Sequence, residues 1–572
     1  MLFLATFYPA QALPAEASAS LPLLHYDKLE AYGKLQMVAP AGYFEIGRRY
    51  VHAPRVEWQP IAGADCYKLV LLQNGKVLGT TRAASSPHFI EKGWERTRPG
   101  KANIVIEAYD AAGKCIALSR LFPLYVAPGF SEKASAKQKR GYAEAAWATF
   151  QALDSYQPPA HQPLPTNGPA SQIKPVLLGC SVSPAGLTGI SFPNLHDWSH
   201  VDLCVALLKI AENDTQRKRV RAYATSVGEH ILMCRLAKTE GWQYGGMPRG
   251  VADWQGGPGF AMTYADPVAK DKHSRLVEPG KAAYSAEALL KLFEILGEER
   301  FKQAGLEMAE TLLRTQLEDG SWPARVDGRT GEVIAKYSTS VAAVISLFER
   351  VNGLQPDPRW CVARDKALVW MEKYPMRSYG WVVNFDDNPA GADTVYPYVG
   401  LSNWDLFHFI RYLCGHPGSM ANARDRIREQ LDWNDNHFVF YGEDLLLPFN
   451  PYYPTCGEQG NPASYVSYGG CWLPMDFHTA NWGRAILRMF ELTGDRKYLR
   501  IARAAANAIT QYQLDDGRTL TWMPDRDYGL SSQYNGAATG DFWPSGWAIS
   551  ATLWAELAAM DQDASGRKSL GK

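Results

Sequence analysis

Ala288–Gly328 reads ALLKLFEILGEERFKQAGLEMAETLLRTQLEDGSWPARVDG, and Ala485–Asp527 reads AILRMFELTGDRKYLRIARAAANAITQYQLDDGRTLTWMPDRD. Each stretch contains an apolar helical pattern, a G-[ED]-x-[RK]-[FY] turn, a second helical pattern and a Q-L-[ED]-D-G run followed by a Trp. Gly297 and Gly494 stand where the end of a helix favours positive φ. This internal repeat predicts that a pair of antiparallel helices is the structural unit of the chain.

Connections of two lengths alternate along the rest of the chain. Apolar spacing at i, i+3 and i+4 predicts twelve amphipathic helices. Every second connection is a tight turn, and the others are long and rich in Trp, Tyr, Gly and Asp. Six such hairpins can close into a ring that has all its long loops at one end, the mouth, and its tight turns at the other, the short-turn end. Function is expected at the mouth because loops on a rigid scaffold often carry it. The predicted helices are Ser135–Ser155, Trp198–Asn213, Thr215–Leu236, Lys281–Leu296, Glu298–Gln316, Tyr337–Asn352, Asp357–Lys373, Leu401–Cys414, Ser419–Leu431, Met475–Thr493, Asp495–Leu514 and Ser545–Met560.

The helix pairs, the G-[DE]-x-x-[FY] turn and the outer helix ending in Q-x-x-D-G before a Trp resemble the six-hairpin (α/α)6 toroid proteins. That superfamily includes glycoside hydrolases, unsaturated glucuronyl hydrolases, polysaccharide lyases and sugar epimerases. The resemblance implies an (α/α)6 toroid catalytic domain over residues 140–562 that acts on carbohydrate. It supplies no catalytic motif that can be transferred residue by residue, and fold alone does not fix function.

The N-terminal part has a different pattern. Residues 21–128 alternate with period two in places and carry an Asn74-Gly75 turn, which predicts strands. The W-x-P-x-x-G-A-x-x-Y run of Trp58–Tyr67 resembles fibronectin type III domains, which are small β-sandwiches. The predicted fold class is therefore multidomain α and β, an N-terminal β-sandwich followed by the toroid. Residues 129–139 are predicted to be a linker and 563–572 a polar tail.

The first residues and the composition limit the environment and the partners. Residues 1–20 resemble a secretory signal peptide without a basic start, which predicts a secreted or periplasmic protein; the alternative is a short apolar arm. Cys456 and Cys471 could then form a disulfide. The net charge is +0 and no basic stripe appears, which argues against nucleic acid as a partner. No later segment is apolar enough to span a membrane. The sequence has no Walker A loop, Rossmann fingerprint or H-E-x-x-H motif, so we predict neither cofactor nor metal. The oligomeric state is left open.

The catalytic candidates lie where long loops meet inner helices, because helix N-termini there face the mouth. Asp405 and His408 share one face in SNWDLFHF, and Asp476 and His478 share the first turn in CWLPMDFHTANWGR. Glycoside hydrolysis needs two carboxyl groups, one protonated and one ionised. The leading pair is Asp405 and Asp476, for which Asp253 and Asp393 are the substitutes.

Two other functions stay open at this stage. The first is β-elimination or C5 epimerisation of a uronic acid by a neutral base, a Tyr acid and a charge-neutralising group. The second is glycan binding without catalysis. The residues considered for the uronic-acid chemistry are His478, His408, Tyr396, Asn481, Arg484 and Arg249. An oligosaccharide or polysaccharide is the expected partner in every case, and its candidate binding residues are Trp254, Trp322, Trp404, Trp482, Arg325, Glu458 and Asp541.

Overall fold

The fold is taken from a computed structural model of the chain. The residues it describes are 23–24, 49–132, 137–155, 180–183, 186–190, 197–236, 238, 240–248, 275–378, 404–441, 448–449, 451–452, 473–474, 476–519 and 544–570. The predicted leader, residues 1–20, and most of the predicted mouth loops lie outside them. Within these residues no helix combines the length and the apolar character that crossing a bilayer requires.

Twelve long helices are found in the described residues, one for each predicted helix. Their sequences and burial explain the packing, because Glu299–Arg314 and Arg496–Thr510 carry one apolar face each, while every second helix along the chain, beginning with Asp197–Ile210, is buried on most sides. The helices are α1 Tyr142–Asp154, α2 Asp197–Ile210, α3 Asp214–Met233, α4 Pro279–Leu296, α5 Glu299–Arg314, α6 Val341–Leu354, α7 Pro358–Lys373, α8 Trp404–Gly415, α9 Ala423–Phe438, α10 Asp476–Thr493, α11 Arg496–Thr510 and α12 Pro544–Leu570.

The even-numbered helices form a closed inner ring. Helix α2 packs against α4, α4 against α6, α6 against α8, α8 against α10, α10 against α12, and α12 returns to α2. Each inner helix also packs against one odd-numbered outer helix, and α12 pairs with α1 to complete the sixth hairpin. Gly297 and Gly494 follow the ends of α4 and α10 with φ of 77° and 72°, as the turn pattern predicted. The six-hairpin (α/α)6 arrangement is thus present.

Several helix boundaries differ from the prediction; α1, for example, begins at Tyr142 and not at Ser135, and α11 ends at Thr510 and not at Leu514. Helix α6 begins at Val341 because Val333–Ser338 forms a strand that pairs with Pro323–Asp327. Helix α9 continues beyond Leu431 to Phe438, where its last turn holds the N-terminal region, and α12 continues to Leu570 into the predicted polar tail. The start of α6 and the end of α9 are set by tertiary partners, the paired strand and the N-terminal region, which override helical periodicity.

The N-terminal region contains one main sheet. Its strand order is β1-β8-β7-β4-β5; β9 pairs with the first half of β7 and with β2, and β3 pairs with β6 as a separate ladder. The turn at Asn74-Gly75 joins β4 to β5 with positive φ at both residues, as predicted. The fibronectin type III-like sandwich stays a prediction. The strands are β1 Leu23–Leu24, β2 Arg49–Tyr50, β3 Arg55–Val56, β4 Cys66–Gln73, β5 Lys76–Ala83, β6 His88–Phe89, β7 Gly100–Tyr109, β8 Cys115–Ser119 and β9 Phe122–Val126.

The N-terminal region binds the outside of the toroid at the last turns of α9. The backbone N–H groups of Val51 and His52 both donate to Asn436 Oδ1 at 2.7 Å. The His52 ring lies 3.1 Å from Asp435 Oδ2. Asp435 also accepts a hydrogen bond from the buried Trp482 indole, 3.2 Å away in the inner ring. The Asp435 carboxylate therefore contacts both the N-terminal region and the inner ring.

Candidate active site

Asp405 lies in the first turn of α8, at the mouth end of the inner ring. Its carboxylate accepts a hydrogen bond from the hydroxyl of Ser340, the residue before α6. The Ser340 Oγ lies 3.0 Å from the hydroxyl of Tyr284 on α4. Burial raises the pKa of the Asp405 carboxyl to about 7, although the bonds from Ser340 and the Ala342 backbone oppose that rise. Asp405 is therefore a carboxylic acid that holds its proton close to neutral pH.

Asp476 occupies the matching place on the neighbouring helix α10. It is the first residue of the helix, is fully buried, and accepts a hydrogen bond from Ser550 on α12 at 3.1 Å. Burial raises the pKa of its carboxyl well above the usual value, against the bonds from the Phe477 backbone and Ser550. The structure thus brings the two leading acids to the same end of adjacent inner helices, each bonded to the helix on its far side.

The protonation of Asp405 gives the stability of the protein a defined pH dependence. An acid whose pKa is about 7 when folded and about 4 when unfolded binds more protons in the folded state between those values, so unfolding free energy falls as pH rises. We expect the stability of the wild type relative to Asp405→Asn to drop by about 1 kcal/mol per pH unit between about pH 4 and 7. Urea unfolding of both proteins across that range measures it. A difference that does not change with pH would show that Asp405 is ionised as usual.

An aromatic cluster crosses the ring just below this level. Trp198 on α2 contacts His408 on α8, with ring centroids 4.8 Å apart, although these helices are opposite each other in the ring. Tyr284 contacts both, at 5.5 and 4.5 Å. Burial, and then the charge of Arg411, lower the pKa of His408 well below its usual value, so this ring is neutral. The three rings form a floor between the mouth and the interior.

A cavity of about 600 Å³ lies beneath the aromatic floor. It is lined by side chains of the inner helices and reaches Glu294, Gly353 and His416, which are exposed at the short-turn end. Its charged lining consists of four acids and four bases. The acids are Asp202, Glu287, Glu294 and Glu349, and the bases are Lys291, Arg350, Arg411 and Arg484.

Several residues that were predicted to bind the sugar are instead buried or paired within the protein. Trp322 is fully buried, donates its indole N–H to Leu312 O at 2.8 Å and packs against Phe348. Trp482 is fully buried as well, so neither indole presents a face for sugar stacking in this structure. The Arg325 guanidinium lies 2.7 Å from the buried Glu278 carboxylate, so its charge is already compensated.

The predicted uronate-binding residues lie below the mouth. Arg484 pairs with Asp202 at 2.9 Å and with Glu556 at 3.1 Å, and Asn481 accepts a hydrogen bond from Arg411 at 3.0 Å. His478 is fully buried, and burial lowers its pKa to about 3. The remaining predicted residues, and the side chain of Trp404, lie outside the described part of the chain. These residues are Arg249, Asp253, Trp254, Asp393, Tyr396, Glu458 and Asp541, together with the predicted Cys456–Cys471 pair.

Sequence reasoning named His408 and Arg484 but missed the other residues that form the floor and line the cavity. A signal existed, because Asp202, Lys291 and Arg411 are charged residues within otherwise apolar inner helices. A helix enclosed by neighbours on its sides can place such residues only toward the ring centre. The aromatic pair Trp198 and Tyr284 gave no comparable signal, since apolar helices routinely carry aromatic core residues.

Comparisons with known proteins show that the chain is similar in structure to several solved proteins, but they assign it to no family. No protein-family model matches the chain, and no curated protein matches it. A family 76 glycoside hydrolase from a bovine Bacteroides thetaiotaomicron strain is similar at 10% identity and a TM-score of 0.43, covering 90% of this chain and 98% of that one. An unsaturated glucuronyl hydrolase specific for heparin is similar at 11% identity and a TM-score of 0.41, covering 75% and 97%. A sugar epimerase from a ruminal bacterium is similar at 10% identity and a TM-score of 0.43, covering 67% and 94%. At such values none of them assigns an activity to this chain.

Proposed function

We propose that this protein is a glycoside hydrolase that cleaves an oligosaccharide or polysaccharide at the mouth of the toroid. The observation that carries the proposal is a pair of buried carboxyls, Asp405 and Asp476, in the first turns of adjacent inner helices at the mouth end of the ring, and burial raises the pKa of Asp405 to about 7. Glycosidic bond cleavage needs such a group, because the leaving oxygen must receive a proton as the bond breaks. Acids with raised pKa values are typical of this role.

Asp476 is the proposed second carboxyl group. Neighbouring helices pack with their axes about 8–10 Å apart. The partners of the two acids, Ser340 and Ser550, lie on opposite flanks of the α8–α10 pair, so the carboxyl groups lean away from each other. This favours the wider separation of roughly 6.5–9.5 Å, which leaves room for a water between acid and sugar, and therefore inversion of the anomeric carbon. In that step the ionised form of Asp476 takes a proton from the attacking water while protonated Asp405 gives its proton to the leaving oxygen, so the reaction needs a pH at which one carboxyl of the pair has lost its proton.

Product chemistry tests the proposal. The full-length protein is incubated with a panel of neutral and uronic-acid-containing polysaccharides, and new reducing ends, ultraviolet absorbance and the anomer first formed are measured. We expect new reducing ends without absorbance from a conjugated double bond, and a first anomer of inverted configuration. Absorbing products would indicate β-elimination, and deuterium entering C5 without cleavage would indicate epimerisation. Binding without any product would support the glycan-binding alternative.

A further inference from the structure

The cavity beneath the aromatic floor contains a cation without a matching acid. Arg411 lines this cavity and donates to Asn481 Oδ1 at 3.0 Å and to the neutral His408 ring at 2.8 Å. Among the described residues, no carboxylate lies within ion-pair distance of its guanidinium. Every other base of the lining has one: Lys291 contacts Asp202, Arg350 contacts Glu294, and Arg484 contacts Asp202.

Two residues near Arg411 have hydrogen-bond donors that lack a partner in the described structure. Arg484 is 5% exposed, and its Nε and Nη1 have no hydrogen-bond partner in the described structure. The amide Nδ2 of the fully buried Asn481 has none there either. Buried donors are nearly always satisfied in folded proteins, so these three atoms indicate an acceptor that the described residues do not supply.

The charge around Arg411 indicates that this acceptor is an anion. Burial and the nearby charge of Arg484 lower the pKa of the Arg411 guanidinium to about 10, while Asp202 and Glu556 favour its charge from a distance. The group is thus still charged at neutral pH, in surroundings that give it no direct counter-charge. Burying a charge without a partner is costly, and a bound anion would remove that cost.

We propose that the cavity is a second ligand site, separate from the mouth, which binds a small monoanion through Arg411 and Arg484, while Asn481, which does not line the cavity, orients Arg411 through their hydrogen bond. The four lining acids would repel a polyanion, so a ligand with a single carboxylate or a similar oxyanion fits best. The volume of about 600 Å³ accommodates a monosaccharide acid as well as acetate. The ligand enters from the short-turn end, because exposed Glu294, Gly353 and His416 form the cavity rim there while the aromatic floor closes the other side.

Titration calorimetry of the full-length protein with acetate, glucuronate and glucose tests the site without relying on activity. We expect acetate and glucuronate to bind and neutral glucose not to bind at this site. Arg411→Gln should weaken anion binding by about tenfold or more, as expected when a hydrogen bond to a charged group is lost. Arg359→Gln is the control, since Arg359 is exposed, pairs with Asp357 and Glu310 and does not line this cavity, and it should keep the wild-type affinity.

Thermal unfolding supplies the second readout. Both acids should raise the melting temperature of the wild type and of Arg359→Gln, but not that of Arg411→Gln. If Arg411→Gln does not fold, Arg411→Lys keeps the charge, loses the planar fork and should still bind more weakly than the wild type. Tighter binding of glucuronate than of acetate would identify a sugar acid as the ligand, and equal binding would identify the oxyanion alone. Binding of neither acid, or equal binding by Arg411→Gln, would overturn the proposal.

Discussion

Replacing either Asp405 or Asp476 with Asn is expected to lower kcat by about 10²–10⁴-fold, the usual contribution of a positioned acid or base. Asn has nearly the shape of Asp and still accepts the hydrogen bonds from Ser340 and Ser550, but its amide cannot transfer a proton. Since burial raises the pKa of both carboxyls, the substitution removes less charge than it would at an exposed Asp, and the melting temperature should change only slightly. Reducing-end assays and thermal unfolding measure the two effects.

A matched control for these variants is Asp425→Asn. Asp425 also lies in the first turn of a helix, α9, but it is exposed, and the turn stands at the short-turn end of the ring. This variant should retain full activity and stability. Full activity in both Asp405→Asn and Asp476→Asn would remove the assignment, and loss of activity with an equal loss of folded protein would indicate a structural role.

The second large effect concerns stability. Asp202 on α2 accepts from Lys291 on α4 and from Arg484 on α10, each at 2.9 Å, and so joins three inner helices. These two cations lower the pKa of Asp202 well below its usual range despite its burial. In Asp202→Asn, the charges of Lys291 and Arg484 keep only a neutral amide as their partner. Breaking a buried ion pair in this way should lower the unfolding free energy by about 3–5 kcal/mol, as measured by urea unfolding at pH 7.

Acid pH and a surface variant serve as controls for that prediction. Because the folded pKa of Asp202 is depressed, its contribution is present above the unfolded pKa of about 4 and is lost as pH falls below it. The difference between the wild type and Asp202→Asn should therefore shrink in acid. Asp365→Asn, which breaks an exposed pair with Arg364, should cost less than about 1 kcal/mol. Similar costs for the two variants would contradict a stabilising role for the buried network.

The fold could be predicted because its signals are local and repeated. The Gly297 and Gly494 turns, the apolar periodicity and the alternation of short and long connections all pointed to six hairpins, and the inner ring is closed. The boundaries of α6 and α9 could not be predicted in the same way. Val333–Ser338 pairs with a strand formed earlier in the same loop. The last turn of α9 contacts His52, which is hundreds of residues away in the sequence. A pattern read over a short stretch of sequence includes neither partner.

The candidate site was less predictable, for a different physical reason. Asp405 and Asp476 could be selected because each begins a helix after a long loop. Whether Trp322 and Trp482 face a cleft or the core depends on which neighbours cover them, and that follows only from tertiary packing. The charges of the inner cavity are visible in the sequence only as charged positions on inner helices, and whether such a residue is solvated or enclosed is decided by the closure of the ring.

The most direct test of the proposed active site is a crystal structure of Asp476→Asn bound to an oligosaccharide that the wild type cleaves. We predict that the scissile bond lies at the N-terminal ends of α8 and α10, above the aromatic floor, with its glycosidic oxygen within hydrogen-bonding distance of the Asp405 carboxyl. A glycan bound only below that floor, or at the mouth but out of reach of Asp405, would contradict the account.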